Sequence, residues 1–139
     1  MVQLIIGEKG KGKTKYLLDK VNSEIQNVSG NIVYLDKSTK HMYELNNKIR
    51  LIDVSSYLVS SADEFAGFIC GILSQDHDLQ QMYFDSFLKI ACVEENETEA
   101  IFNKLSQIGE KFGVDFIISA SVTEEQLPDT YKDKVIVSL

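Results

Sequence analysis

The chain is nearly without arginine. Of its fourteen basic residues only Arg50 is one. Guanidinium forks are the usual clamps on phosphates in transfer reactions, so their scarcity argues against a fast phosphoryl-transfer enzyme. Proline is almost absent too. Pro128 stands alone, and no proline-rich linker divides the 139 residues. One compact domain over residues 1–139 is therefore expected. The two cysteines, Cys70 and Cys92, lack metal-ligand spacing and read as two buried thiols. No apolar run approaches a membrane span. The opening MVQLIIG is too short and too uncharged for a signal peptide. A cytoplasmic protein with no membrane insertion is expected.

What is present is ordinary in amount and uneven in placement. Hydrophobic residues make up 44% and charged residues 25%, which suits a globular domain with a core. Residues 1–50 hold nine Lys/Arg against five Asp/Glu, and residues 51–139 hold five against sixteen. The positive excess surrounds the opening loop, so a small anionic ligand fits there. The whole chain is acidic, with net charge -7, and has no long basic stripe. Nucleic acid is not indicated as a partner.

Apolar runs at residues 2–6, 31–36, 49–54, 82–87, 114–120 and 135–139 predict strands, the one at 82–87 ending at or near Asp85. Between them, helical spacing appears in three places. Leu17, Leu18, Val21, Ile25 and Val28 lead to a stop at Gly30. Phe65, Phe68, Ile69, Ile72 and Leu73 follow the capping pattern Ser61–Glu64. Ile101, Leu105, Ile108 and Phe112 follow the acidic EENETE and end at Gly113. Alternating strands and helices, with several strands continuously apolar, predict an α/β three-layer sandwich around a mostly parallel central sheet. Ligands of such sheets sit at the C-terminal strand ends.

The stretch from Gly7 to Thr14, GEKGKGKT, fits G-x-x-x-x-G-K-[ST] at every fixed position. It lies between an apolar strand and an amphipathic helix, as that motif requires. Its glycines let the backbone aim successive N–H groups at phosphate oxygens, and the helix N-terminus adds free N–H groups and positive dipole. The nucleotide-contacting set is read as Gly7, Glu8, Lys9, Gly10, Lys11, Gly12, Lys13, Thr14 and Lys15. Lys13 reaches the β- and γ-phosphates, and the Thr14 hydroxyl binds Mg²⁺. Lys9, Lys11 and Lys15 also fit solvated loop charges. The stretch resembles the Walker A motif of P-loop NTPases, which implies the P-loop NTPase fold.

That resemblance also implies a strand-end acid for the magnesium shell. Asp85, after Met82-Tyr83-Phe84, resembles a Walker B aspartate, with Asp53 and Asp36 as the other candidates. With Asp85 in that role the element order resembles the RecA-like (ASCE) division. There one strand, here residues 114–120, is inserted between the P-loop strand and the Walker B strand. Its polar end, Ser119-Ala-Ser121, resembles a sensor-1 position, which adds Ser121 to the nucleotide-binding set. One departure stands out. Ser86 follows Asp85 where such ATPases carry a glutamate to polarise water. Glu94 and Glu95 come later and fit an acidic helix start. Neither Asn-Lys pair has an aspartate two residues on, so guanine reading is unsupported and ATP is favoured.

GEKGKGKTKYLLDKVN, NIVYLD, DEFAGFICGILSQDHD with MYFDSFLKI, and VDFIISAS…LPDTYKD resemble small stand-alone ATP-binding proteins. These are loosely labelled as relatives of twitching-motility (pilus-retraction) ATPases. The chain lacks the further domains and arginines of a motor ATPase, so the label carries no pilus function. The resemblance implies an ATP-binding switch or module with Mg²⁺-dependent hydrolysis that is slow or completed by a protein partner or homo-oligomer. The alternatives are a non-hydrolysing nucleotide-binding interaction protein and, less well supported, a small-molecule kinase.

Overall fold

A computed structural model describes residues 1–139. The chain runs β1 (Val2–Ile6), α1 (Lys13–Glu24), β2 (Asn31–Asp36), β3 (Arg50–Asp53), α2 (Ala62–Ser74), β4 (Leu79–Phe84), α3 (Phe87–Ile90), α4 (Glu99–Phe112), β5 (Asp115–Ala120) and β6 (Val135–Ser138). The strands form one six-stranded sheet in the order β3-β2-β4-β5-β1-β6. Every neighbouring pair is parallel, so the sheet is wholly rather than mostly parallel. β5 lies between β1 and β4, the inserted position expected for residues 114–120.

The strands bury both faces because helices cover both. Leu4 and Ile6, Val33 and Leu35, Met82 and Phe84, and Phe116 and Ile118 point toward α2, α3 and α4 and join a core of 27 residues. The alternate positions Ile5, Ile32, Tyr34, Tyr83 and Ile117 pack under α1 in a second core of 10 residues. In the larger core Phe84 meets Phe87 and Phe116 edge-on, at centroid distances of 5.9 and 5.5 Å. Such contacts add to the area each ring buries.

Several local expectations need correction. α1 ends at Glu24, well before Gly30. Gly30 answers a different need: a Cβ there would collide with the Asp78 carbonyl, which accepts the Asn31 N–H at 2.8 Å. β4 starts at Leu79, three residues before the expected 82, and stops at Phe84, next to the expected end at or near Asp85. Gln80 and Gln81 mask the start, and Gln81 is buried with its side-chain oxygen accepting the Tyr83 hydroxyl at 2.8 Å. Ser61 caps α2 by accepting the Glu64 N–H at 3.1 Å. The Glu64 carboxylate reaches back to Ser60 instead of Ser61, so the capping box is not closed. Residues 94–98 precede α4, and Glu99 is the acid in its first turn. Cys70 is half-buried and Cys92 is exposed, so the pair is not two buried thiols.

Phe84→Ala should cost about 3–5 kcal/mol, the range for truncating a buried aromatic. Urea unfolding measures this as a lower midpoint with an unchanged slope.

Candidate functional site

A wholly parallel sheet puts all C-terminal strand ends along one edge. There the loops after β1, β2, β4 and β5 meet. Residues 7–12 connect β1 to α1. Gly10 and Gly12 have φ of 86° and 91°, and open space surrounds a Cβ at either. Backbone conformation, not room, demands glycine there. Gly12 is the N-cap of α1, so the unpaired first-turn N–H groups of that helix face the loop. The buried Lys13 donates from Nζ to the Glu8 carbonyl at 3.0 Å. Burial lowers the pKa of this ammonium, and the negative charge of Asp85 partly opposes that.

Lys9, Gly10, Gly12, Lys13, Thr14, Lys37, Asp85, Ser86, Ser119 and Ser121 line a cavity of about 190 Å³ without one hydrophobic residue. Lys11 lies instead with Gly7 and Glu8 against Val122 and Leu139. Lys15 is exposed and pairs with Asp19 at 3.8 Å. Glu94 lines a groove beside the cavity with Lys9, Lys37, Lys89, Ser86 and Ser121.

Asp85 is the carboxylate of this edge that is bonded from three separate elements. Its N–H donates to the Leu35 carbonyl at 2.8 Å, tying it to β2. Its Oδ1 accepts the Thr14 hydroxyl at 3.2 Å and the Ser86 N–H at 2.8 Å, and its Oδ2 accepts the Tyr34 hydroxyl at 2.8 Å. Ser86 takes φ of 53°. That left-handed geometry is strained for a non-glycine residue and folds the chain sharply so that its N–H returns to Asp85. Buried Phe84 and Phe87 anchor the turn on both sides. Tyr34 was not a site residue by sequence, because inside NIVYLD it counts as one more buried strand position. Burial, then the charge and hydrogen bond of Asp85, push its phenol pKa up, so it remains a donor.

The other two strand-end acids differ. Asp53 spends its carboxylate on Ser55 and Ser56 beyond the edge strand β3. Asp36 is buried next to Asp85. Its Oδ1 accepts the Lys37 N–H at 2.7 Å, and its Oδ2 is buried without a partner. Burial first, and then the Asp85 charge, raise its pKa from 3.8 to about 6, against the pull of the Lys37 N–H, His41 and Lys37. Arg50 opens β3 at the opposite end of the sheet, where its Nη1 holds Asp76 at 2.9 Å.

The raised Asp36 pKa sets a pH dependence. The folded protein holds this proton where the unfolded chain has already lost it. The stabilising effect is therefore complete below about pH 4 and is lost as pH rises through the folded value. In chelator, Asp36→Asn should match the wild type near pH 4 and exceed its stability by about 1–2 kcal/mol at pH 7.5, after allowance for water in the open cavity. Urea titrations at the two pH values measure the difference.

No family model matches the chain, and no curated protein matches it. Among solved structures it is similar to a KaiC-like protein from the hyperthermophilic archaeon Pyrococcus horikoshii OT3, with a TM-score of 0.61 and 20% identity. The match covers 86% of this chain and 62% of that one, so this chain spans less than two thirds of that protein's length. The likeness gives no support to the twitching-motility label. What it carries is the fold: an α/β, RecA-like arrangement of helices around a parallel six-stranded sheet.

Proposed function

We propose that residues 1–139 form a single cytoplasmic nucleotide-binding domain that takes ATP with Mg²⁺, hydrolyses it slowly or with a partner's help, and acts as a nucleotide-dependent switch. The observation that carries this reading is the 3.2 Å contact between the Thr14 hydroxyl and Asp85 at the glycine-rich loop. It puts two hard oxygen donors beside Lys13 in a polar cavity, a donor set that suits Mg²⁺. Bound there, Mg²⁺ would neutralise phosphate charge.

In this reading the N–H groups of residues 9–14 cradle the phosphates. Lys13 exchanges the Glu8 carbonyl for a phosphate oxygen, and burial keeps water from competing. Tyr34 and the Ser86 N–H hold the Asp85 carboxylate in one orientation. Ser119 and Ser121 offer hydroxyls across the cavity. Three features support slow turnover. Ser86 stands where a water-polarising glutamate is expected. The chain's one arginine is committed to Asp76 at the far end of the sheet. Lys9, Lys37 and Lys89 are point charges without a guanidinium's fork. The same features support the second reading, a protein that binds nucleotide for its conformational effect and does not hydrolyse it.

Thermal melting with and without Mg²⁺–ATP tests the site. Ligand at a hundred times Kd should stabilise the wild type by about 2.7 kcal/mol, and Lys13→Ala should show no shift. A wild type that no nucleotide shifts would sink the proposal. Phosphate release by the purified protein alone should stay below about 1 s⁻¹, under the common enzyme range. Faster turnover would remove the argument from Ser86 and Arg50.

A further inference from the structure

Three side chains at the nucleotide edge form a group that the proposed nucleotide site does not use up. One ligand atom each from Asp36, His41 and Asp85 lie within 4.8 Å of one another. Two of the three residues are buried, and Asp36 Oδ2 is a buried carboxylate oxygen with no hydrogen-bond partner. A buried anionic oxygen left unpaired is costly and calls for a compensating cation. No protein cation forms an ion pair with it, though Lys37 and His41 lie near enough to exert some pull. Lys13 is held by Glu8, and His41 is hydrogen-bonded to Glu44, not to either aspartate.

We infer that Asp36, His41 and Asp85 form a binding site for a first-row divalent transition ion, occupied before nucleotide arrives. The His41 arrangement points that way. Its Nδ1 lies 3.0 Å from Glu44 Oε1. A carboxylate only accepts, so Nδ1 carries a hydrogen, and in the neutral imidazole Nε2 keeps its lone pair for an ion. A ligating histidine is usually oriented in this way, by a carboxylate on its other nitrogen. Three ligand atoms around one ion at bonds of about 2.1 Å lie roughly 3–3.6 Å apart, so groups within 4.8 Å of one another must move inward by about an ångström. Two carboxylates and an imidazole favour ions that accept nitrogen as well as oxygen, and Mg²⁺ prefers oxygen alone. The partly exposed imidazole, at 22%, provides the entry path.

Asp85 is shared with the proposed nucleotide site, but this inference does not depend on nucleotide binding, and the experiment separates the two. Mn²⁺ is titrated into nucleotide-free protein, and the free-ion electron paramagnetic resonance signal is followed. The wild type should bind one Mn²⁺ per chain and keep it in about tenfold excess of Mg²⁺. His41→Ala should weaken binding about tenfold or more, and Glu44→Gln, which touches no ion, should weaken it less but measurably. Lys13→Ala removes a positive charge near Asp85, so it should bind Mn²⁺ at least as tightly as the wild type while losing any response to ATP. His41 and Glu44 are surface residues outside both cores, and circular dichroism verifies that their variants fold. Absence of Mn²⁺ binding without nucleotide, ready displacement by Mg²⁺, or an unchanged affinity in His41→Ala would each overturn the inference.

Discussion

Three donors and one strand converge on the carboxylate of Asp85. A buried ionised oxygen pair is tolerated only if each oxygen is bonded, and here the bonds come from separate parts of the chain. Thr14 brings the first turn of α1, Tyr34 brings β2, and Ser86 brings the turn that Asp85 itself begins. Satisfying one residue thus fixes the glycine-rich loop relative to the sheet. The strained Ser86 backbone is held in place by this arrangement and by the two phenylalanines that flank it. Remove the carboxylate and the loop loses its only side-chain tie to β4.

The two ends of the sheet are chemically opposite. At the C-terminal edge lysines and hydroxyls surround an open polar cavity, and one aspartate oxygen is left over. At the N-terminal edge Asp76 is consumed by Arg50, Asn31 and the Asp78 N–H, so its charge is balanced within the fold. The unbalanced edge is the one at which the proposed ligand would sit.

Much of this was legible in the sequence, for identifiable reasons. The strand, loop and helix around Gly7 to Thr14 were readable because left-handed turns need glycine, and the burial of Ile5 and Ile6 before them is a continuous apolar signal. The placing of β5 between β1 and β4 followed from the order of motifs. Less was legible where a residue type has two uses. Gly30 looked like a helix stop, but it is glycine because the Asp78 carbonyl lies against it. Gln80 and Gln81 hid the start of β4, since a buried glutamine paired with a tyrosine does not look like core. Tyr34 hid in the opposite sense, as an apolar strand residue whose hydroxyl is the part that matters. Arg50 could be seen to be scarce but not to be tied down, because its partner lies 26 positions away.

The two cores are unequal, and the site straddles them. Asp85 extends from a strand whose Phe84 belongs to the core of 27 residues, whereas Lys13 and Thr14 ride on α1, which rests on the core of 10. α1 thus rests on the smaller of the two cores, on the opposite face from α2 and α4. An anion seated across the edge would bridge the two layers. Its occupancy would be written into the mobility of a whole helix, a form of signal that needs no moving domain and no arginine.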